Sequence, residues 1–285
     1  MIASTSRPAS ATASAGHPVL RDLMSRPHPV VMGVLNVTPD SFSDGGKFIT
    51  PELALAQARR MIAEGADIID IGAESTRPYG SKPVSADEEQ RRLRPVLPEV
   101  VSLGVPVSID SMKSSVVAWA LDTGAMIAND VWGLQRDPGM ATLVAERRSP
   151  VVIMHNRDSA DATIDIMRDI AAFFERSLAI AAAAGIASEN IVLDPGIGFG
   201  KTQEQSMIAL ARLDELRVFN LPLLVGASRK RFIDSITPSE PHQRLGGSIA
   251  AHLLAAKGGA RIIRTHDVAE TLQALRVAVA IEDKG

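Results

Sequence analysis

Cysteine is absent from this chain of 285 residues, and aromatic residues are scarce, with two Trp, one Tyr and seven Phe. The lack of Cys excludes disulfides, a thiolate nucleophile and a zinc site with cysteine ligands. Chains that work in a reducing compartment have no need of disulfides. We therefore predict a cytoplasmic location.

The chain also lacks a strong charge and a long hydrophobic run. Its formal net charge is −3, without a block of like charges, so it does not show the electrostatic pattern of a nucleic-acid-binding or membrane-surface protein. No run approaches the roughly 18 apolar residues that a membrane-spanning helix needs. The composition, 46% hydrophobic and 22% charged, is that of an ordinary globular domain. We expect small-molecule partners, with no nucleic acid and no membrane.

The first 28 residues differ from the rest. The stretch MIASTSRPASATASAGHP is rich in Ala and Ser and has neither the apolar core of a secretory signal nor a periodic pattern. Because it carries Arg and no acidic residue before Asp22, a transit peptide is an alternative. The composition favours a disordered leader over residues 1–28, followed by one folded domain over residues 29–285.

Short apolar runs alternate with longer amphipathic stretches from residue 29 onward. Near-continuous apolar runs are typical of parallel strands that are covered on both faces. Eight strand–helix units match a (β/α)8 barrel of about 250 residues. We therefore predict an α/β chain that forms a single (β/α)8 TIM barrel with long loops after strands 1 and 2. A doubly wound open sheet, which needs a topological switch point and usually has fewer strands, is the alternative. The predicted strands cover residues 30–36, 67–72, 105–110, 125–130, 150–155, 190–194, 222–227 and 260–265.

Polar side chains collect directly after these apolar runs. In a barrel the carboxyl ends of all strands share one rim, where the loops build the active site. One such residue alone could be a helix cap, as Asp110 could be for the helix that starts near Met112. Polar residues after all eight runs are better explained by a functional site. They are Asn36, Glu74-Ser75-Thr76-Arg77, Asp110, Asn129-Asp130, His155-Asn156, Asp194, Ser228-Arg229-Lys230, and Arg264 with His266.

These residues form two chemical groups. Asp110, Asn129 and Asp194 are rich in acceptors and suit the N–H edge of a flat heterocycle. A cationic group suits phosphate or pyrophosphate, and Asn36 with nearby oxygens could hold Mg²⁺, which prefers oxygen ligands. A heterocycle that carries a phosphorylated leaving group would satisfy both groups. The cationic group consists of Arg77, Lys230, Arg264 and His266, with the hydroxyl of Thr76.

The glycine-rich stretch DPGIGFGKT (194–202) is not a nucleotide-binding motif. A Walker A sequence needs Gly where Pro195 stands, and GxGxxG fails at Lys201. We interpret the glycines as a tight turn beneath a ligand, with Phe199 available for apolar contact.

Histidine gives little evidence for a metal centre. The sequence contains no HxxxH or HExxH motif and no Cys/His cluster, so a zinc site is not supported. His266 is the histidine that we predict to be functional, whereas His155 could contact a ligand or pack in the core.

Seven stretches resemble the dihydropteroate synthase family, in that family's order and spacing. They extend from about Val30 to Ala280 and leave out only the leader, and the first is highly specific by itself. The stretches are GVLNVTPDSFSDGG, GAESTRP, SIDSMK, IANDVWGL, LDPGIGFGKT, GASRKRFI and RTHDV. The resemblance implies a transferase that joins 6-hydroxymethyl-7,8-dihydropterin pyrophosphate to p-aminobenzoate, giving 7,8-dihydropteroate and pyrophosphate, with Mg²⁺ as cofactor. It also implies a sulfonamide target and a homodimer.

The resemblance implies roles for individual residues as well. The residues implied at the pterin are Asp110, Asn129, Asp194 and Lys230. Those implied at the pyrophosphate are Thr76, Arg264 and His266, with Asn36 linked to Mg²⁺. Those implied at p-aminobenzoate are Ser228 and Arg229 near its carboxylate, and Phe42, Pro78 and Phe199 in the pocket wall. We expect the catalytic work to fall on Asp110, Lys230, Arg264 and His266.

The implied mechanism agrees with the chemistry of the rim. The cationic group and Mg²⁺ assist the departure of pyrophosphate, and Asp110 is the counter-charge for the cation that remains on the pterin. The aryl amine then attacks, so no side-chain nucleophile is needed. Residues 36–48 and 74–89, rich in Gly, Pro and Ser, are predicted to close over the site and exclude water. The alternative is two long barrel loops without that role.

The chain departs from the family pattern at three places, none of them assigned to chemistry. They are Tyr79-Gly80 after Pro78, Gln205-Ser206 after GFGKT, and Asp234 after SRKRFI. Two other interpretations remain. A methyltetrahydrofolate methyltransferase that serves corrinoid proteins would keep the Asp/Asn set but would not need NVTPDSF or SRK. A non-catalytic pterin-binding paralogue should have lost loop or anion-binding residues, which are all present here.

Overall fold

The computed structural model describes residues 16–38, 50–74 and 83–284. Eight parallel strands close into a barrel in sequence order, with the first strand paired to the last. This closure confirms the predicted (β/α)8 barrel and excludes the open sheet, and each strand lies within its predicted range. The strands are β1 (Val30–Asn36), β2 (Ile68–Gly72), β3 (Val107–Asp110), β4 (Ile127–Asp130), β5 (Val151–Met154), β6 (Ile191–Asp194), β7 (Leu223–Val225) and β8 (Ala260–Thr265).

Helices connect the strands and surround the barrel. In the part of the chain that the structure describes, short 3₁₀ segments lie at Ser188–Asn190, Leu213–Phe219 and Pro241–Gln243. The helices are α1 (Pro18–Met24), α2 (Pro51–Ala63), α3 (Ala86–Leu93), α4 (Leu97–Val101), α5 (Ser114–Thr123), α6 (Pro138–Arg147), α7 (Ile166–Ala184), α8 (Gln203–Ala211), α9 (Arg231–Ile236), α10 (Leu245–Gly258) and α11 (Val268–Glu282). Within the described ranges, none of these helices has the length and apolar character needed to cross a membrane.

Polar side chains and glycines determine where several helices begin and end. Thr202 and Gln205 form a reciprocal capping box at the start of α8, which satisfies two backbone N–H groups that the helix cannot pair internally. Gly124, Gly185 and Gly259 end α5, α7 and α10 in the left-handed conformation, where a side chain would be strained. These local signals fix the lengths of the helices between strands.

Two apolar layers hold the barrel together. The larger one lies between the strands and the surrounding helices, and it uses alternate strand residues such as Ile69, Ile153 and Ile263. The smaller one fills the barrel interior near the amino ends of the strands, and we call it the floor. The strand residues of the floor are Val30, Met32, Ile68, Ile127, Val152, Val192, Leu224 and Ile262.

Helix α1 covers the floor from below. Its Leu20 and Leu23 are buried among the floor residues, and Arg261 on β8 donates a 3.0 Å hydrogen bond to the carbonyl of Met24. Residues 16–28 are therefore part of the fold, and the predicted disordered leader over residues 1–28 is wrong for this segment. Seven residues are too few to show helical periodicity, and their apolar pair is explained only by the barrel end it covers. Residues 1–15 lie outside the described residues.

Candidate active site

Alternation along the strands turns five polar side chains into the barrel interior, above the floor. Successive side chains of a strand point to opposite faces. On β2, β4, β6 and β8 the residue two positions earlier belongs to the floor, so the polar residue faces the same interior. On β3 that earlier residue is a buried Ser108. We call this layer the mouth, and it consists of Asp70, Asp110, Asn129, Asp194 and Arg264.

Arg264 connects two carboxylates of the mouth. Its Nε donates to Asp70 Oδ2 over 2.6 Å, and its Nη2 donates to Asp110 Oδ2 over 2.9 Å. Asp70 also accepts hydrogen bonds from Asn129 Nδ2 at 3.2 and 3.3 Å. Since the Asp70 side chain is wholly buried, its charge depends on these donors for compensation.

This network leaves two acceptors for a ligand. The Asp70 carboxylate accepts only N–H groups, so it fixes the Asn129 amide with its nitrogen toward Asp70. Asn129 Oδ1 then remains as the acceptor of that side chain. Asp110 Oδ1 is buried and has no hydrogen-bond partner among the described residues. A buried acceptor without a donor is unfavourable, so a ligand that brings N–H groups to this point would satisfy it.

Two mouth carboxyls have strongly shifted pKa values. Burial raises the pKa of Asp110 to about 7, against the opposing effect of the Arg264 charge. Burial likewise raises the pKa of Asp194 to about 6, although the Gly196 N–H and the Lys230 charge favour the ionised form. Both groups therefore titrate close to neutral pH, as is typical of carboxyls in functional sites.

The turn after β6 forms one wall beside Asp194. The Gly196 N–H donates to Asp194 Oδ1 over 2.7 Å. Gly196 has a φ of 65°, and a side chain there would overlap the carbonyl oxygen of His155. The tight turn that the sequence predicted is therefore present. Farther along it, the ring of Phe199 lies 4.2 Å from Lys230 Nζ, a cation–π contact.

A second group of polar residues lies at the ends of β7 and β8. Ser228 Oγ accepts the backbone N–H of His266 over 3.2 Å and lies 2.9 Å from His266 Nδ1. Arg229 donates two hydrogen bonds to Asp267, at 3.1 and 2.5 Å. Arg229 is thus held by a carboxylate of the neighbouring strand end, a contact that the sequence analysis did not predict.

Comparisons with known proteins decide the family of this chain. A family model described as pterin binding enzyme matches residues 32–266. The dihydropteroate synthase of Bacillus subtilis is 44% identical over 257 residues, which cover 90% of each chain. The chain belongs to the dihydropteroate synthase family.

Solved structures of the family are similar to this one. The Clostridium difficile dihydropteroate synthase with pteroic acid has a TM-score of 0.85 and 46% identity, over 90% of this chain and 97% of that one. The Yersinia pestis dihydropteroate synthase with a sulfonamide drug has the same TM-score and 42% identity, over 90% and 95%.

The family prediction is thereby confirmed, and part of the predicted site lies outside the described residues. Phe42, Thr76, Arg77 and Pro78 lie outside the described residues, as do Tyr79-Gly80 and most of the two loops that we predict to close over the site. Their roles stay predictions.

The remaining departures from the family pattern have local structural roles. Gln205 completes the capping box of α8, and Ser206 Oγ accepts the Gly198 N–H over 3.2 Å. Asp234 Oδ1 accepts the Ser239 N–H over 2.9 Å. These side chains stabilise loops around the barrel, and none of them belongs to the mouth.

The described residues fit a magnesium ion only if the substrate supplies most of its ligands. Asn36, at the end of β1, offers one neutral amide oxygen. No group of three His, Cys, Asp or Glu side chains that could hold a metal ion occurs in residues 16–38, 50–74 and 83–284. Mg²⁺ commonly combines one or two protein ligands with substrate phosphates and waters. Asn36 fits that arrangement.

Sequence reasoning missed Asp70 and the buried partners of His155. Asp70 stands inside the apolar run DIIDIG, two residues after Ile68, so the period-two alternation of a strand could have placed it at the mouth. His155 is completely buried and contacts Lys201 and Asp169. It packs in the core, the second of the two possibilities that the sequence left open.

Proposed function

We propose that this chain catalyses the dihydropteroate synthase reaction, in which 6-hydroxymethyl-7,8-dihydropterin pyrophosphate reacts with p-aminobenzoate to give 7,8-dihydropteroate and pyrophosphate. The observation that carries this proposal is the mouth itself. It combines acceptors with the Arg264 guanidinium at the carboxyl end of the barrel, where TIM barrels hold their active sites. The same activity is supported by the similar proteins, which are dihydropteroate synthases, and by the two solved structures of such enzymes with pteroic acid and with a sulfonamide.

The acceptors of the mouth suit the N–H groups along one edge of a pterin. Asp110 Oδ1 lacks a donor among the described residues, and Asn129 Oδ1 remains available because Asp70 holds the amide nitrogen. Asp194 is buried and accepts one N–H from Gly196. A pterin bound here would exchange its water contacts for charge-assisted hydrogen bonds.

Bond cleavage needs stabilisation of charge more than it needs a nucleophile. The bond between the pterin methylene carbon and the pyrophosphate oxygen breaks, and its electron pair leaves with pyrophosphate. Arg264 and His266 face the growing negative charge, while the Asp110 carboxylate compensates the cation that is delocalised over the pterin. The amine nitrogen of p-aminobenzoate then bonds to the methylene carbon and loses its proton to solvent. Asn36 would hold Mg²⁺, which when bound neutralises part of the pyrophosphate charge.

The deciding experiment measures pyrophosphate release by the purified protein with the pterin pyrophosphate and Mg²⁺, with and without p-aminobenzoate. We expect release to depend on p-aminobenzoate and to be inhibited by a sulfonamide. Tight binding of the pterin without amine-dependent release would overturn the proposal and favour the non-catalytic paralogue.

A homodimer in the cytoplasm remains part of the proposal. Two large apolar side chains support an interface, since Val218 is 73% exposed and Leu254 on α10 is 63% exposed. Light scattering after size-exclusion chromatography would give the mass directly. A chain of 30.3 kDa that elutes with a single-chain mass at micromolar concentration would contradict the dimer.

A further inference from the structure

A lysine that the proposed mechanism does not use is buried beside the mouth. Lys201 is 6% exposed, and its Nζ lies 2.6 Å from His155 Nδ1, 3.0 Å from the Gly196 carbonyl oxygen and 3.2 Å from the Phe199 carbonyl oxygen. An ammonium group has three N–H donors and no acceptor. The three neighbours therefore match its three donors.

His155 is held in one tautomer by this arrangement. Its Nδ1 must accept from Lys201, so its proton resides on Nε2, which donates to Asp169 Oδ2 over 2.9 Å. Burial lowers the pKa of His155 to about 3, and the Lys201 charge acts in the same direction. The neutral ring connects Lys201 to helix α7, where Asp169 also accepts from Arg157 over 2.9 Å.

Two of the three acceptors belong to the turn that forms one wall of the site. The Gly196 carbonyl belongs to the residue whose N–H donates to Asp194, and the Phe199 carbonyl belongs to the residue whose ring contacts Lys230. Gly196, Gly198 and Gly200 all have positive φ. A turn so rich in glycine has little backbone preference of its own, and Lys201 ties it to the end of β5.

We propose that Lys201 is a positioning residue, which through His155 and the two carbonyl oxygens holds residues 195–200 so that Phe199 forms the wall of the p-aminobenzoate subsite. All three of its donors are used inside the protein, so it acts through Phe199 without contacting substrate. This inference rests on the proposed function, because p-aminobenzoate defines the subsite that Phe199 would line.

The first test is a double-mutant cycle on the full chain. Lys201→Met removes the three donors, Phe199→Ala removes the ring, and Lys257→Met, at an exposed position on α10, is the matched control. We expect Lys201→Met to raise the KM for p-aminobenzoate about tenfold, since it leaves three buried acceptors without their donor. The dissociation constant of the pterin pyrophosphate should change by less than about threefold, an effect within roughly 0.6 kcal/mol. Adding Lys201→Met to Phe199→Ala should have little further effect on that KM.

The outcomes separate this inference from the proposed function. A wild-type protein without amine-dependent pyrophosphate release contradicts the function itself. If the wild type is active but Lys201→Met leaves the KM unchanged, or if its effect adds fully to that of Phe199→Ala, Lys201 does not act through Phe199 and the inference is wrong. Lys257→Met should match the wild type.

A second pair of variants distinguishes the loss of the hydrogen bond between His155 and Lys201 from a general loss of folding. The Oδ1 atom of Asn occupies nearly the place of His155 Nδ1, so His155→Asn keeps an acceptor for Lys201 and loses the contact with Asp169. His155→Gln keeps a donor for Asp169 and loses the acceptor. We expect His155→Asn to have a lower KM for p-aminobenzoate than His155→Gln, close to that of the wild type. If volume and core packing alone mattered, the larger Gln would be the better replacement, and that result would overturn the inference.

Discussion

The floor and the mouth of the barrel are built on the same strands, two residues apart, and they have opposite chemistry. On β2 the step from Ile68 to Asp70 goes from an apolar side chain in the floor to a carboxylate bonded to Arg264. The step from Ile262 to Arg264 on β8 does the same. The carboxylates and the amide of the mouth are buried like the floor residues, so burial alone does not distinguish a core from a site.

The two layers differ in how their side chains compensate for lost water. Floor residues gain stability in proportion to the apolar area removed from water. Mouth residues lose hydration and regain only part of it, as two observations indicate: Asp110 Oδ1 has no hydrogen-bond partner in the described part of the chain, and the pKa of Asp194 is raised. The floor therefore contributes to stability, whereas the mouth retains interactions for a ligand to complete.

Substitution of Asp70 should have the largest effect, because this carboxylate connects two other side chains of the mouth. Asp70→Ala removes a carboxylate that accepts from both Arg264 and Asn129. It leaves the partly buried guanidinium with Asp110 as its remaining carboxylate partner among the described residues. We expect the free energy of unfolding to fall by about 3–5 kcal/mol, and pyrophosphate release to be lost because Asn129 and Arg264 lose their orientation. Urea unfolding and the pyrophosphate assay measure the two effects.

The matched control for Asp70 is an exposed carboxylate that also pairs with an arginine. Asp122 forms a 2.6 Å ion pair with Arg147, and both side chains are about half exposed. Asp122→Ala should cost about 0–1 kcal/mol and leave activity intact. An equal cost at positions 70 and 122 would contradict the importance that we give to the buried network.

A floor substitution should affect stability alone. Leu23→Ala removes a side chain that is 1% exposed in α1, and we expect a loss of about 2–5 kcal/mol in the free energy of unfolding. The kcat measured well below the unfolding midpoint should equal that of the wild type, because the mouth lies at the other end of the strands. Leu53→Ala, at a position 51% exposed on α2, is the control with little expected effect. A change in kcat with unchanged stability would contradict the separation of the two layers.

The fold was predictable from the sequence because its signals are local and repeated. Apolar runs, Gly at helix ends and polar residues after each run gave all eight strands within their ranges. Helix α1 was not predictable, because the burial of Leu20 and Leu23 depends on a floor formed by strands up to β8, more than 200 residues later.

The candidate site was predictable as a set of strand-end residues, but not as a network. Asp110, Asn129, Asp194 and Arg264 lie in the mouth, and Lys230 contacts the Phe199 ring beside it, while their roles stay predictions. The pairing of Arg264 with Asp70, and that of Arg229 with Asp267, depend on distances across the barrel or between neighbouring strand ends. Spacing along the chain contains no information about those distances.

A change of pH should show the smallest effect, and it distinguishes the mouth from the floor without altering packing. The pKa of Asp194 is about 6 in the folded chain and near its ordinary value of 3.8 when unfolded. At this carboxyl the folded state therefore holds more protons between pH 4 and pH 6, so the contribution of Asp194 to the free energy of unfolding falls as the pH rises through that window. Asp194→Asn keeps the acceptor for the Gly196 N–H and removes the titration. The variant should gain about 2–4 °C in Tm over the wild type at pH 7.5, with a much smaller gain at pH 4, and should bind the pterin more weakly. A difference in Tm that does not vary from pH 4 to pH 7.5 would mean that the Asp194 carboxyl is not destabilised by its burial.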